Sequence, residues 1–517
     1  MDVIRDWDDF ELLKSEWDAV YASDPEAQYF LSWEWMADWL KLHQTTWIVL
    51  AARDEQEGSS HVGFLPLRNW MQFDEQRGFF NQFILAGAEY SDYTGLLATP
   101  EHEAEVIAAF GKHITDVIFW GEFSWHNLLI SDRRKQLLLP ALSDRRIAQK
   151  PITYQIDGID HGICPFLPLP SDWDRYLETL SANNRQKIRR LLRKVEASDT
   201  HRIAFSTGED QLRDLETMLA LWRVKWAPFK GDNTDDIIAR NRAMLGGCAE
   251  RGALLLPVFW DSDRFVAALA IVVDQVKRSL LFVITGRDET YAEVPAGYLL
   301  HAYMIRYAIA EGFSEYDFLR GDESYKFLFT DDARRLSAFE LKSKTGRNLG
   351  EAIHPSWVGE MLEMTLRFEN ARETAKAEKA YRQILEVDPD NALALYRFGR
   401  FEARNDRHSQ ARQLLERSVA IEPEGDNAWL ALAQSLQWLG EVQPAILACR
   451  RAIAAAPDNK QARALLVQLT ATAKPAPLIL GAQRAGILEQ AGASAPRADV
   501  AAILRHPRPA GKPPGAT

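Results

Sequence analysis

The sequence predicts an α/β region of about 350 residues, an all-α repeat module after it and an unstructured tail. Three observations carry that reading. Up to about residue 350, apolar runs of strand length alternate with longer stretches of helical period. Beyond it, Pro389, Pro423 and Pro457 recur every 34 residues. After Ala473 the composition turns to proline, alanine and glycine, as in "RHPRPAGKPPGAT", which leaves little to bury.

With 517 residues, 47% of them hydrophobic, the chain can build several cores. Its formal net charge of −12 argues against bulk nucleic-acid binding and leaves room only for a local basic patch. Cys164, Cys248 and Cys449 lie far apart, with no CxxC pair and no histidine at metal spacing, so a reducing compartment and no metal are expected. The N-terminal "MDVIRDWDDFELLKSEW" is acidic and lacks the apolar run of a secretory signal. Runs such as "FVAALAIVV" fall far short of the roughly 18 to 20 residues that span a bilayer. A cytoplasmic protein without membrane insertion is expected.

The first lobe, residues 1–160, reads as strands "TWIVLAAR", "VGFLPLRN" and "NQFILAG" with the helix "EAEVIAAFGKHITDVI". Pro165, Pro168 and Pro170 in "CPFLPLPSDW" mark a stiff linker. The second lobe, residues 161–350, continues with "ALLLPVFW", "FVAALAIVV" and "SLLFVITG" (279–286), a helix from Pro295 to Gly312, and "EYDFLRG" (315–321). Pro295 suits a first helical position, and Ala296 and Gly297 leave the first N–H groups open to an anion such as a pyrophosphate; a proline start with a close-packed glycine and no ligand explains them equally well.

Between the repeating prolines, Gly399 and Ala411, then Ala433 and Ala445, stand at matching offsets, where small residues let two helices cross closely. Ala377 and Tyr381 fit an earlier unit and "NKQARALLVQLT" a closing helix. The pattern resembles the tetratricopeptide repeat, in about three units over residues 355–472, and implies a groove for a protein or peptide partner. Residues 473–517 form the tail.

Two charged stretches interrupt the second lobe. In "EYDFLRGDESYKFLFT" (315–330), Asp322, Glu323 and Lys326 are packed among Tyr316, Phe318, Phe327, Leu328 and Phe329. In "LSANNRQKIRRLLRKVE" (180–196), Ile188, Leu191, Leu192 and Val195 form one buried stripe, and Arg185, Lys187, Arg189, Arg190, Arg193 and Lys194 cover the remainder. The second is either a solvated face or an electropositive wall for an anionic substrate. Trp222 and Trp226, one turn apart beside Arg223 and Lys225, suit a core or a stacking platform.

"GRDETYAEVPAGYLLHAYMIRYAIAEGFSEYDFLRGDESYKFLF", with "CPFLPLPSDWDRYLETLSANNRQKIRRLLRKVE" and "LLLPVFWDSDRFVAALAIVV" before it, resembles a GNAT-type acyltransferase of the cellulose-biosynthesis-protein-like branch. "FLSWEWMADWL", "VGFLPLRN" and "SDYTGLL" extend the resemblance into the first lobe, which it implies is a degenerate copy. It implies that strands 279–286 and 315–321 splay to admit the arm of acetyl-coenzyme A, which places Ile284, Thr285, Gly286, Pro295, Ala296 and Gly297 at the cofactor. It also implies that Asp322 or Glu323 takes a proton from the acceptor, that Tyr325 returns one to the thiolate, and that Lys326 neutralises a substrate anion or holds an acid. For Asp322 the other reading is a helix cap within a buried ion pair. Arg185, Arg189, Arg190, Trp222 and Trp226 are the substrate-binding candidates.

The superfamily's glycine-rich loop, Q/R-x-x-G-x-G/A, is absent here, and only Gly297 stands near the helix start. Two rivals follow. One is a Fem-type transferase using aminoacyl-tRNA, the single case in which nucleic acid is a partner; the other is an inactive fold serving as an adaptor. The family also implies exopolysaccharide machinery as the partner of the repeats.

Overall fold

The computed structural model describes residues 1–42, 47–54, 60–156, 158–346, 348–349 and 353–472. They form two compact units, 1–394 and from 395 onward. The expected tail, 473–517, lies outside the described residues.

The first unit is built on two mixed sheets. One begins with β1 (Asp2–Ile4), β2 (Trp47–Arg53), β3 (His61–Asp74), β4 (Gly78–Leu85), β5 (Leu97–Ala98), β6 (Glu122–Leu128) and β7 (Ile147–Pro151). A small ribbon, β8 (Gln155–Ile156) and β9 (Ile159–Asp160), leads to the other. That sheet holds β10 (Ile163–Pro168), β11 (His201–Phe205), β12 (Leu254–Leu255), β13 (Pro257–Asp261), β14 (Arg264–Asp274), β15 (Ser279–Arg287), β16 (Glu315–Asp317) and β17 (Ala333–Arg335). Finally β18 (Ser337–Ser343) returns to the first sheet and lies between β6 and β7.

The strand orders are β1-β2-β3-β4-β6-β18-β7 and β11-β13-β14-β15-β16-β10-β17, with β5 on β3 and β12 on β14. Position for position they are the same. Each sheet has one parallel strand pair, β4 with β6 and β15 with β16, joined by a helical crossover as parallel pairs require. The lobes also trade a strand: β10 follows the first lobe in sequence but sits inside the second sheet, and β18 does the reverse.

The proline-rich stretch predicted as a linker is therefore largely an interior strand. Prolines are tolerated because β10 changes partner midway, pairing β17 over Ile163–Pro165 and β16 over Phe166–Pro168. Pro165 needs no N–H there; its carbonyl accepts the N–H of Phe318. Cys164 and Leu167 are buried, and that burial outweighs the linker-like composition.

Helices α1 (Trp7–Leu12), α2 (Lys14–Ser23), α3 (Trp33–Leu42), α4 (Glu103–Asp116) and α5 (Asp132–Ala141) belong to the first lobe. The second adds α6 (Trp173–Thr179), α7 (Ala182–Glu196), α8 (Glu209–Lys230), α9 (Thr234–Glu250) and α10 (Ala296–Ala310). α10 buries Leu299, Leu300, Ala302, Met304 and Ile305 on one face of the second sheet. On the opposite face Met218, Trp222, Leu245 and Cys248 share a core with Trp17, Trp35 and Trp39 of the first lobe. Both faces of β14 and β15 are covered, so their sequences read as continuous apolar runs.

The unit ends in α11 (Val358–Asn370) and α12 (Thr374–Val387). Phe368 packs on Phe73 at 4.6 Å, and Gln383 accepts the N–H of Phe79, so this first helix pair is seated on the β3–β4 hairpin. The second unit follows with α13 (Ala392–Arg404), which crosses into it, α14 (His408–Ile421), α15 (Asp426–Trp438), α16 (Val442–Ala455) and α17 (Lys460–Thr472). A Cβ on Gly399 would lie 2.6 Å from Leu415 Cγ, which is why that repeat position is small. Ala411, Ala433 and Ala445 are fully buried for the same reason. Among the described residues no helix is long and apolar enough to cross a membrane.

Candidate active site

The parallel pairing of β15 with β16 lasts three residues, Ser279, Leu280 and Leu281 against Glu315, Tyr316 and Asp317. Two local features then part the chains. In the β14–β15 ladder Ala270 faces Ile284 while Ile271 faces Phe282, so Val283 is an extra residue, a bulge that bends β15. On the other side Leu319 (φ 57°) and Gly321 (φ 104°) turn the backbone left-handed, so the strand expected to reach residue 321 ends at Asp317. A bulky residue such as Leu319 seldom takes that conformation, and Asp317 Oδ1 holds it by accepting the Leu319 N–H at 2.7 Å. Val283, Ile284 and Thr285 are half-buried where the two chains diverge. The first sheet differs: the β3–β4 register runs unbroken, and Asn127 Nδ2 spans to the carbonyls of Ala88 and Ser91.

Of the candidates on β15, Thr285 donates its hydroxyl to Ala268 O at 2.8 Å. Gly286 is a packing glycine, since a Cβ there would lie 2.0 Å from the Met218 carbonyl of α8. What β15 offers a ligand beyond the fork is therefore its backbone edge at Val283 and Ile284. α10 opens at Pro295 with no side-chain cap, and nothing lies within 4 Å of a Cβ built on Gly297. Ala296, Gly297 and Tyr298 thus present the N–H groups that every helix start leaves without intrahelical partners.

The charges between the apolar residues of 315–330 occupy the turn after the fork. Lys326 is 3% exposed. Its Nζ donates to Arg320 O at 2.6 Å and Gly321 O at 3.1 Å and pairs with Glu323 at 2.9 Å, which ties the left-handed turn together. Asp322 Oδ1 accepts the N–H of Asp160 at 2.8 Å; the contact joins the turn to β9, and no helix begins there to be capped. Glu323 keeps over a third of its side chain exposed, as does Tyr325. Burial around the Tyr325 hydroxyl, and then the Glu323 charge, push its pKa up, so the hydroxyl stays protonated at neutral pH.

Beneath Tyr325 lies a residue that sequence patterning did not single out. His301 of α10 is fully buried among Phe282, Phe318 and Phe329, and its Nδ1 shares a 2.9 Å hydrogen bond with Tyr316 Oη. Burial, then the Lys326 charge, push it down to about 3, so the ring is neutral. The signal available was a lone histidine on the otherwise apolar buried side of that helix. On the opposite face of β16, Asp317 accepts from Tyr93 Oη at 2.9 Å and lies 3.7 Å from Arg334. Burial raises its carboxyl and Arg334 opposes the rise. Asp317, Glu315 and Arg334 help line a cavity of 580 Å³ shared with Gln28 and Ser131 of the first lobe.

The basic helix α7 borders α10. Lys187 Nζ sits 4.3 Å from the Tyr298 ring centroid, and Lys194 donates to Glu293 O at 3.4 Å, just before the helix start. Arg185 donates to Leu177 O, Arg189 pairs with Asp174 at 3.5 Å, and Arg190 is exposed. Trp222 is core. Trp226 is half-buried with Lys225 at 5.1 Å from its ring, on the opposite face of the sheet from α10. The two tryptophans are therefore apart from α7 and α10, in the cluster against which Val283 and Ile284 of the fork also pack.

Residues 182–327 match the family model described as the acetyltransferase (GNAT) domain, and residues 371–436 and 403–469 match that of the tetratricopeptide repeat. Among solved structures the chain is similar to the first repeat domain of Spaghetti (RPAP3) bound to an HSP90 peptide, at 15% identity and TM-score 0.23, covering 23% of this chain and 94% of that one. It is similar to the Sgt2 repeat domain from Aspergillus fumigatus at 17% identity and TM-score 0.22, covering 25% and 91%. It is also similar to MamA at 23% identity and TM-score 0.20, covering 21% and 63%. No curated protein matches the chain. The chain carries an acetyltransferase (GNAT) domain over residues 182–327, followed by tetratricopeptide repeats over residues 371–469.

Proposed function

We propose that the second lobe, residues 161–350, is an acyl-coenzyme A-dependent N- or O-acyltransferase, moving an acetyl group to a small polar or glycan-related acceptor. The observation that carries this is the fork: a three-residue parallel pair that a bulge at Val283 and a left-handed turn at Leu319 then open. The open first turn at Ala296, Gly297 and Tyr298 fits a pyrophosphate, with Lys187 and Lys194 adding positive charge beside it. Bound acetyl-coenzyme A would supply the activated acyl thioester. Glu323, the more accessible acid, takes the proton of the incoming amine or hydroxyl, and Tyr325 is the proton donor. Asp322 and Lys326 hold the turn that carries both. The repeats recruit a protein or peptide partner, and membership of the cellulose-biosynthesis-protein-like branch would make that partner cytoplasmic exopolysaccharide machinery.

Calorimetry tests the reading. Acetyl-coenzyme A should bind the full chain with micromolar affinity, about −8 kcal/mol; no heat at millimolar ligand would remove the coenzyme. A second reading is favoured by the six positive charges of α7 and the missing glycine loop: a Fem-type transfer from aminoacyl-tRNA. Binding of charged tRNA that weakens steeply with salt, without any binding of the coenzyme, would select it.

A further inference from the structure

We propose that His201, Asp261 and Glu293, with Tyr291 beside them, form a site for a divalent transition metal of the zinc class, which ties the loop before α10 to the edge of the second sheet. His201 and Asp261 face each other across the β11–β13 ladder, so the backbone sets their spacing. Glu293 reaches them from the loop between Arg287 and Ala296. Asp261 Oδ2 lies 3.7 Å and Glu293 Oε2 3.9 Å from His201 Nε2, and the three donor atoms all fall within 4.8 Å of one another. A tetrahedral ion bound at about 2.0 to 2.2 Å needs donors roughly 3.3 to 3.6 Å apart, so donors now within 4.8 Å of one another close by up to about 1 Å through movement of the two carboxylate side chains.

Two further observations point to a cation. His201 is over nine-tenths buried, its Nδ1 has no hydrogen-bond partner, and Nε2 is directed into the cluster, where Tyr291 Oη is 3.1 Å away. Nε2 thus shares a hydrogen bond with Tyr291 and faces both carboxylates, while Nδ1 is left without a hydrogen-bond partner. Among the described residues, neither Asp261 nor Glu293 pairs with a lysine or arginine; the nearby Arg264 is engaged with Asp288 and Thr290. One imidazole and two carboxylates, with a fourth position for water, are donors that suit zinc better than magnesium or calcium.

The experiment titrates Zn²⁺ alone into the chelator-stripped full chain, without coenzyme, so its outcome is separate from that of the acyl-donor reading. We expect one equivalent bound, affinity at least tenfold weaker in Asp261→Asn and in Glu293→Gln, and slowed amide exchange across residues 288–294 when zinc is present. The Glu293 variant alters a side chain that is 66% exposed, so it tests the site without threatening the fold. Zinc binding equal in wild type and both variants, no binding at all, or binding that leaves exchange of the loop unchanged would each overturn the proposal.

Discussion

Lys326→Met separates a substrate-facing lysine from one that holds the chain. The methionine keeps the apolar stem in its site, 3% exposed in the native protein, and removes the ammonium. Two carbonyls, Arg320 O at 2.6 Å and Gly321 O at 3.1 Å, then lose their donor, and Glu323 loses its partner at 2.9 Å. Each buried carbonyl left bare costs about 1 to 3 kcal/mol. The two carbonyls set a loss of about 2 to 6 kcal/mol, to which the ion pair adds little because Glu323 is 37% exposed. Urea unfolding followed by tryptophan fluorescence measures it, with acetyl-coenzyme A binding determined on the same samples. Binding should fall only as the folded fraction falls. A variant within about 0.5 kcal/mol of wild type that has lost turnover would refute the reasoning and return Lys326 to the acceptor.

Gly286→Ala sets a methyl against the Met218 carbonyl at 2.0 Å and should cost about 1 to 3 kcal/mol in thermal unfolding; an unchanged melting temperature would mean α8 does not approach β15 so closely. His301 has a folded pKa of about 3 and an ordinary unfolded one near 6.5, so its contribution is present above pH 6.5 and lost as pH falls towards 3, at about 1.4 kcal/mol per unit. His301→Phe should remove that slope from the pH dependence of the urea midpoint, and an identical slope in both proteins would contradict a neutral buried ring. Glu323→Gln should lower turnover by about 10² to 10⁴ with little change in melting temperature, whereas Asp322→Asn, whose Oδ1 can still accept the Asp160 N–H, should be nearly silent; full activity of the Glu323 variant would end its role as base. Reversing Arg189, Arg190 and Arg193 to glutamate should abolish the salt-dependent part of coenzyme binding, and unchanged binding between low and moderate salt in the wild type would show a merely solvated face.

Periodicity made the repeats legible because every helix pair buries small residues at the same offsets, and Gly399 and Ala433 show that need directly. The α/β character of the first 350 residues was legible for a similar reason, since β14 and β15 are covered on both faces. Composition misled at Pro165 and Pro168, because a strand that changes partner midway can leave the missing N–H of a proline without cost. Of the charged stretch, the sequence told that something unusual was present but not which charge did what: Lys326 and Asp322 are assigned only by the carbonyls and N–H groups that the turn at Leu319 brings within reach. His201, Asp261 and Glu293 could not have been grouped at all, because no local motif links them and only the β11–β13 ladder and the loop before α10 bring them together.

The traded strands also impose an order on synthesis. The first sheet cannot place β18 between β6 and β7 until residues 337–343 have left the ribosome, by which point the whole second sheet has been made. Until then β6 and β7 expose bare edges beside a core rich in tryptophan, a state open to pairing with another chain. The second sheet, whose strands end at Arg335, can close before the first, and a truncation anywhere before Ser337 should yield aggregates rather than a free first lobe.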